Sequence, residues 1–265
     1  MNKKIEHLDF FKKGLDRIPK KVWKYKYLKT LNLGENNITK ISAKLGRLKN
    51  LQMLDLGHNQ IKKLPDAIGE LSSLSDFLYL SNNRLKTLPD SIGQLHQLGY
   101  LNVSDNQLKN LPETIGQMRG LIELRIYNNR IKALPESIAN LDDLQELYLM
   151  NNHLRQLPKS FSSLKNLRIL DAEANRLKQL PDDIEHLKKL KVLNMRNNRI
   201  KFVPRGIGKL SALVHLDLRA NQLKKLPKSL LQLERLEKLD LRWNKGLKLP
   251  RWLKKLEKRG CLVYY

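Results

Sequence analysis

The residues of this 265-residue chain that could do chemistry recur at a spacing of 23 positions. Asp217 and Asp240 are separated in this way, and two carboxylates on neighbouring strands could act as general acid and base. An arginine follows each aspartate by two residues, at Arg219 and Arg242. Such a cation holds a carboxylate ionised, whereas a general acid needs a raised pKa. We therefore interpret the pairs as reciprocal ion pairing or recognition of a charged partner.

No other pattern in the sequence indicates catalysis. The six histidines never occupy the same position in adjacent repeats, so they predict no metal site. No glycine-rich loop is present that could cradle a phosphate group. The only cysteine, Cys261, excludes an intramolecular disulfide and indicates a reducing compartment. The sequence therefore predicts a protein that is not an enzyme, with no catalytic residue, no metal and no cofactor.

Aromatic residues and arginines are concentrated at two places where they could form a binding surface. Five of the 16 aromatic residues lie in the middle of the chain, around Arg125. Exposed Tyr and Arg dominate binding hot spots. The alternative is that strand propensity favours these residues and that they cover one another. The predicted partner-binding residues are Phe77, Tyr79, Tyr100, Arg125, Tyr127, Tyr148, Met150, Arg196, Arg219, Arg242 and Trp243.

The chain is strongly basic, with 51 Lys and Arg against 26 Asp and Glu and a net charge of +25. Part of the excess forms a basic edge, three residues after a recurring asparagine: Lys62, Lys86, Lys109, Lys132, Arg155, Lys178, Lys201 and Lys224. Such a stripe attracts anionic partners. Alternatively, the lysine stems cover apolar surface and their charges oppose aggregation. Weak electrostatic binding of nucleic acid or an anionic membrane is therefore the alternative function.

An internal repeat must position all these residues. Its asparagines follow one another at 23 residues, except for a step of 24 between Asn59 and Asn83: Asn36, Asn59, Asn83, Asn106, Asn129, Asn152, Asn175, Asn198, Asn221 and Asn244. Alternating leucines before each asparagine predict a strand with one buried face. The asparagine amide can pair the backbone groups that stacked coils leave inside. Six residues later, a proline opens a short helical turn in most repeats.

One unit of the repeat, residues 121–135, reads LIELRIYNNRIKALP and continues as ESIANLDD. The pattern LxxLxLxxNxLxxLPxxIxxLxx resembles the leucine-rich repeat, in the 23-residue form typical of cytosolic Ras-suppressor-like and many bacterial repeat proteins. The sequence thus predicts an α/β horseshoe-shaped solenoid, with a parallel sheet on its concave face and short helical turns on its convex face. The resemblance implies protein recognition as the common role.

We expect both ends of the repeat array to be capped. About eleven repeats over residues 5–250 and a C-terminal cap at 251–265 predict one domain that spans residues 1–265. In the cap, Trp252, Leu253 and Leu256 suit a last helix. Leu262 and Tyr264 fall on extrapolated leucine positions, so residues 261–265 should add a closing strand.

The single extra residue of the array lies in 74–80, LSDFLYL, just before a predicted strand. It predicts either a bulge that re-aims Phe77 or a tolerated loop insertion.

The sequence contains no 18-residue apolar stretch and no run typical of a signal peptide. It therefore predicts no membrane span and a cytoplasmic protein, or one delivered without a cleavable signal peptide. We expect a monomeric protein-binding module that recognises another protein through its concave face.

Overall fold

The computed structural model describes residues 4–265 and divides into two compact units, residues 1–130 and 131–265. Each unit is built from three-residue strands that alternate with short 3₁₀ helices. Within each unit, the predicted α/β arrangement of parallel strands and short helical turns is confirmed. The single domain over residues 1–265 stays a prediction, and its residues 1–3 lie outside the described residues.

The first unit contains six strands that pair in parallel and in chain order. The strands are β1 (His7–Asp9), β2 (Thr30–Asn32), β3 (Met53–Asp55), β4 (Phe77–Tyr79), β5 (Tyr100–Asn102) and β6 (Glu123–Arg125). Its 3₁₀ helices are Lys20–Lys24, Ala43–Arg47, Asp66–Glu70, Asp90–Gln94 and Glu113–Gln117.

The second unit contains six further strands with the same parallel, sequential pairing. They are β7 (Glu146–Tyr148), β8 (Ile169–Asp171), β9 (Val192–Asn194), β10 (His215–Asp217), β11 (Lys238–Asp240) and β12 (Leu262–Tyr264). Its 3₁₀ helices are Glu136–Asn140, Lys159–Ser163, Ile184–His186, Arg205–Lys209 and Lys228–Gln232, and the α-helix α1 is Leu253–Glu257.

The strand register places the repeated leucines directly beside one another. Leu31 of β2 lies opposite Leu54 of β3, and Leu193 of β9 lies opposite Leu216 of β10. All four are at most 1% exposed. Because side chains alternate along a strand, the residues on either side of each leucine lie on the opposite face of the sheet. We call this the exposed strand face.

The asparagine of each repeat satisfies backbone groups inside the coil, as the sequence predicts. Asn59 donates from Nδ2 to the carbonyls of Leu56 and Gly57, at 3.1 and 3.0 Å, and to that of Leu33 one coil earlier, at 2.9 Å. Its Oδ1 accepts from the Ile38 amide at 2.9 Å. One buried side chain thus serves four backbone groups and ties two coils together.

The prolines stand immediately before the 3₁₀ helices. Pro65 has φ −73° and ψ 152°, and its carbonyl accepts from the Ile68 amide at 3.0 Å. Proline has no amide proton, and a residue at the start of a helix has no helical acceptor for one. A proline at this position therefore leaves no backbone donor unpaired. The isoleucine of the turn, Ile68, is completely buried.

The extra residue of the array is absorbed ahead of β4. The backbone of Asp76 bonds to Gln52, whereas the carbonyl that accepts from Gly99 is that of Ser75, one residue earlier than in other repeats. Phe77 nevertheless keeps the common register, opposite Met53 and Tyr100. The displacement is therefore a local bulge before the strand, and it does not re-aim Phe77.

The closing strand forms as β12, but its predicted register is wrong by one residue. Val263, and not Leu262 or Tyr264, lies opposite Leu239. Leu262 and Tyr264 are instead 58% and 39% exposed. The last coil contains α1 and a left-handed Gly260 (φ 89°), so it takes 24 residues from Leu239 to Val263, and extrapolation at 23 fails.

The residue before each of the ten repeat asparagines has a left-handed backbone, with φ between 50° and 61°, and Lys12, before Lys13 of the first coil, shares it with φ 53°. Asn, Asp and Gly tolerate this conformation, whereas a Cβ without a polar group is strained there. Ala220, at φ 50°, is such a case. We predict that Ala220→Gly stabilises the protein by about 0.5–1 kcal/mol in denaturant unfolding.

The control for this prediction is Ala133→Gly, at an exposed position outside the left-handed set. It should be neutral or destabilising, because there glycine only increases the freedom of the unfolded chain. If both glycines have the same effect, backbone strain at Ala220 is not the cause.

A second prediction tests the strand register. Leu147 is fully buried and Tyr148 is half-buried on the exposed strand face. Leu147→Asp should cost about 4 kcal/mol or more, because it buries an unpaired charge, whereas Tyr148→Asp should cost about 1 kcal/mol or less. Thermal melts of both variants measure the difference. Equal destabilisation would contradict the alternation.

Candidate binding surfaces

Three aromatic rings of the first unit pack together on the exposed strand face. Phe77 and Tyr79 stack at a centroid distance of 5.7 Å and an interplanar angle of 16°. Tyr100 on β5 meets both, at 5.5 Å from Phe77 and 5.1 Å from Tyr79. We call Phe77, Tyr79 and Tyr100 the aromatic cluster. Offset and edge contacts of this kind fix the rings relative to one another.

Arg125 extends the aromatic cluster to the next strand. Its guanidinium carbon lies 5.7 Å from the Tyr100 ring centroid. Its Nε also donates to the Glu123 carboxylate on the same strand. The ion pair and the cation–π contact hold the guanidinium flat on the sheet.

The rings of the aromatic cluster partly cover one another. This agrees with the alternative that strand propensity, and not binding, accounts for these residues. Phe77 is nevertheless 42% exposed, so the aromatic cluster also presents apolar surface to solvent. The remaining predicted residues of this region, Tyr127, Tyr148 and Met150, are half-buried. The Tyr148 hydroxyl donates to Glu146 Oε2 at 2.7 Å.

Burial changes the titration of the groups around the aromatic cluster. It raises the pKa of the Tyr100 phenol, and it raises that of Tyr79 together with the negative charge of Asp55. Both tyrosines are therefore neutral hydroxyl groups at physiological pH. Burial also raises the pKa of Asp55, which lies opposite Tyr79, although a hydrogen bond from the Gly57 amide opposes the shift.

The two Asp–Arg pairs of the second unit form one connected network. Arg219 Nε donates to Asp217 Oδ2 at 2.8 Å and lies 3.4 Å from Asp240 Oδ2 on the next strand. Arg242 donates to the same Asp240 from Nε and Nη2, at 3.0 and 2.6 Å. Asp240 is completely buried, and its carboxylate contacts the guanidinium groups of both arginines.

The network keeps the Asp240 carboxylate ionised. Burial raises the pKa of Asp240, but hydrogen bonds from the Arg242 side chain and backbone, and the charges of Arg219 and Arg242, outweigh burial and leave the pKa below its usual value. A general acid requires the opposite shift. This geometry supports the interpretation of the pairs as structural ion pairs.

Trp243 lies among three arginines of successive repeats. Its ring centroid is 5.8 Å from the guanidinium carbon of Arg196, 6.0 Å from that of Arg219 and 5.5 Å from that of Arg242. Arg196 also approaches Glu173, at 3.5 Å. We call Arg196, Arg219, Arg242 and Trp243 the C-terminal arginine row.

Sequence reasoning missed Tyr264, which continues the C-terminal arginine row on β12. Its ring lies 5.1 Å from the Arg242 guanidinium carbon and 5.7 Å from Lys238 Nζ. The prediction had placed Tyr264 on the buried side of the strand. The last coil has 24 residues, and this places Tyr264 on the exposed strand face. The repeat period of 23 residues does not predict that longer coil.

All eight residues of the basic edge are exposed. None of them forms an ion pair with another residue of the described range 4–265. The edge is therefore a row of solvated cations. At its C-terminal end, Lys201 and Lys224 share a cleft with Trp243.

The described residues contain no cluster of three or more His, Cys, Asp or Glu side chains that could hold a metal ion. Cys261 is 5% exposed, and burial raises the pKa of its thiol. It therefore serves as a core residue of the C-terminal cap. Within residues 4–265, no helix has the length and apolar character needed to cross a membrane.

Family comparison agrees with the repeat geometry. The sequence model described as "Leucine-rich repeat region" matches residues 76–173, 124–195 and 182–259, and "Leucine rich repeat" matches residues 26–85. The chain belongs to the leucine-rich repeat family. The matched ranges contain the repeated leucines, asparagines and prolines described above. No curated protein matches the chain significantly.

Several solved structures resemble this leucine-rich repeat chain. A leucine-rich repeat protein of Leptospira interrogans is 29% identical over 93% of this chain and 74% of its own, with a TM-score of 0.75. The Arabidopsis receptor kinase HAESA, solved with the peptide hormone IDA and the co-receptor SERK1, is 28% identical over 90% of this chain, with a TM-score of 0.76.

The ectodomain of the Arabidopsis thaliana membrane receptor kinase GASSHO1/SCHENGEN3, solved with CASPARIAN STRIP INTEGRITY FACTOR 2, is 25% identical over 94% of this chain, with a TM-score of 0.71. The chain spans only 34% of that ectodomain and 42% of the HAESA chain. The resemblance therefore concerns the repeat architecture of a shorter array.

The raised pKa of Asp55 predicts a gain in stability when its charge is removed. At neutral pH the folded state disfavours the ionised carboxyl, so Asp55→Asn should raise the melting temperature while its Oδ1 still accepts from Gly57. Protonation removes the penalty in the wild type as the pH falls through the raised folded value. The gain should therefore vanish below the ordinary aspartate pKa of 3.8.

Melting curves at neutral and acidic pH measure the gain. Asp9→Asn is the matched control, because Asp9 makes the same bond to a backbone amide, from Phe11, but is exposed. It should change the melting temperature little at either pH. A less stable Asp55→Asn at neutral pH would show that the carboxylate is favourable in the fold.

Proposed function

We propose that this chain is a non-enzymatic binding module that recognises another protein through its exposed strand face, the face predicted to be concave. The observation that carries the proposal is the aromatic cluster with Arg125. It presents a partly exposed Phe77 on strands β4 and β5, whose leucines on the other face, Leu78 and Leu101, are completely buried. Leucine-rich repeats commonly mediate protein binding, and this residue composition is typical of binding hot spots.

Preorganisation supports a role in binding. The rings of the aromatic cluster contact one another, and Arg125 is held by Glu123 and Tyr100. A partner that docks on such groups loses little side-chain entropy. Aromatic rings combine broad apolar contact with hydrogen-bonding hydroxyl groups, so a few of them can supply most of the binding free energy.

The C-terminal arginine row is the second part of the proposed surface. Arg219 and Arg242 already give two donors each to aspartates. Their guanidinium groups lie beside the exposed Trp243 ring. A partner that meets this row encounters a rigid surface of aromatic rings and delocalised cations, on which it can stack without reordering the side chains.

The relatives indicate the class of partner. HAESA was solved with a peptide hormone and a co-receptor, and GASSHO1/SCHENGEN3 with CASPARIAN STRIP INTEGRITY FACTOR 2. By analogy, we propose a peptide or protein partner for this chain. The single domain, the monomeric state and the cytoplasmic location remain parts of the same proposal. Weak polyanion binding along the basic edge remains the competing hypothesis.

The proposal predicts that alanine at the aromatic cluster weakens partner binding. Proteins retained by the wild-type chain from its native lysate are identified first, and each is then titrated calorimetrically against the wild type, Phe77→Ala and Tyr100→Ala. Each alanine should weaken binding by about 2 kcal/mol, close to thirtyfold, because it removes a hot-spot ring. Both variants should stay folded, because neither residue belongs to the leucine core.

Met53→Ala is the matched control. Met53 lies directly opposite Phe77 in the β3–β4 register and is half-buried, but it has no aromatic ring. It should weaken binding by about 0.5 kcal/mol or less. If Met53→Ala costs as much as the ring variants, or if neither ring variant matters, the aromatic cluster is not the centre of the interface.

A further inference from the structure

A cleft of about 610 Å³ opens at the C-terminal end of the basic edge. Its walls lie entirely in the second unit and come from three successive repeats. The lining residues include Trp243, Ala220, Gln222 and three lysines, Lys201, Lys224 and Lys245. Its volume is that of a small-molecule site.

The polar lining of the cleft is cationic. Asn198 and Asn221 also line it, but their amides are engaged with backbone carbonyls of the repeat ladder. None of the described residues that line the cleft carries a carboxylate. Three lysines therefore line this space without an acidic residue among its walls, and their charges favour an anionic ligand.

Lys224 lines the cleft, and its ammonium group lies close to the loop that follows Trp243 and Lys245. A Cβ placed on Gly246 would lie 3.3 Å from Lys224 Nζ, so the ammonium group sits against the loop that follows Trp243 and Lys245. Lys201 and Lys224 form no ion pair with any residue in the range 4–265. Their charges are available to a ligand.

Among the non-glycine residues with positive φ in the range 4–265, which also include Lys12, Glu35 and His58, Trp243 is the one Phe, Tyr or Trp residue. It has φ 61° and is 61% exposed, so it accepts left-handed strain without burying its ring. The corresponding residues of the other coils in the second unit are small: Asn151, Ala174, Asn197 and Ala220. Strained backbone at an exposed aromatic residue points to a function outside folding.

Neighbouring groups fix the Trp243 ring at the cleft wall. Arg196, Arg219 and Arg242 all lie within 6.0 Å of its centroid. The guanidinium groups of Arg219 and Arg242 are already bonded to Asp217 and Asp240. These arginines therefore support the Trp243 ring and do not bind the anionic ligand. The lysines, as compact point charges, are suited to phosphate oxygens.

We propose that this cleft binds a nucleotide, with its base stacked on Trp243 and its phosphates held by Lys201, Lys224 and Lys245. A flat apolar ring beside several cations fits a ligand that combines a planar heteroaromatic ring with phosphate groups. The nucleotide can be free or part of a single strand. The site lies at one end of the basic edge and requires Trp243, which distinguishes it from diffuse attraction along the whole edge.

The test compares ligands that carry the base, the phosphates or both. Calorimetric titration at physiological salt uses ATP, adenosine and inorganic triphosphate as probes. ATP should bind at least about tenfold more tightly than either fragment, because only ATP engages both the ring and the lysines. Equal affinity for ATP and inorganic triphosphate, or no detectable ATP binding, would overturn the proposal.

Three variants separate the ring from the charges. Trp243→Asn places at this position the residue found at Asn151 and Asn197, and it should lower ATP affinity about tenfold while leaving triphosphate binding unchanged. Lys224→Gln should weaken both ligands. Lys86→Gln, at the same repeat position in the first unit, should weaken the binding of neither ligand.

A loss in Lys86→Gln equal to that in Lys224→Gln, or full ATP affinity in Trp243→Asn, would show diffuse binding and overturn the site. A ten-nucleotide single-stranded DNA identifies the source of the nucleotide. If this DNA binds more tightly than ATP and the gain is lost in Trp243→Asn, the ligand is a single strand. If the DNA binds more weakly than ATP, the ligand is a free nucleotide. Phe77→Ala and Tyr100→Ala lie in the first unit and should leave ATP binding unchanged, so this site is tested independently of the aromatic cluster that carries the proposed protein-binding function.

Discussion

Backbone hydrogen bonding inside the coil is the constraint on which the rest of this structure depends. After each short strand the chain turns inward, and carbonyls such as those of Leu56 and Gly57 point where no strand can pair them. A single amide, that of Asn59, satisfies both and also bonds two groups of the preceding coil. Because unpaired buried polar groups are costly, the asparagine must recur once per coil, and it fixes the phase of every other position.

That constraint occupies one side of each strand and leaves the other open to variation. Most strand leucines and repeat asparagines are buried, whereas most positions between them are at least partly exposed; Asn102, Ser104 and Asp240 are buried exceptions. The first unit places stacked rings on this face, and the second places shared Asp–Arg pairs there. These groups fix one another across strands about 4.8 Å apart, so the exposed strand face is rigid even where it does not contribute to the core.

The left-handed residue before each asparagine shows where the fold tolerates strain. Asparagine or aspartate takes this conformation readily, and several repeats use them. Trp243 does not, yet it stands there with its ring exposed among three arginines and beside three lysines. Lys12, Glu35 and His58 also have this backbone conformation, so the fold tolerates large side chains there, and Trp243 joins two surfaces which the repeat otherwise keeps apart.

The sequence by itself determined the positions within each coil: which leucines are buried, which asparagines pair the backbone and which prolines precede the 3₁₀ helices. Those positions follow from local periodicity and need no knowledge of neighbouring coils. Tertiary structure decided the contacts between coils, such as the stacking of Phe77 on Tyr79 and Tyr100, the sharing of Asp240 by two arginines and the approach of Trp243 to Lys201 and Lys224. It also decided the outward direction of Tyr264, because the last coil is one residue longer than the period. A fixed period gives the place of a residue in its coil, whereas rotamers and changes in coil length depend on packing between coils.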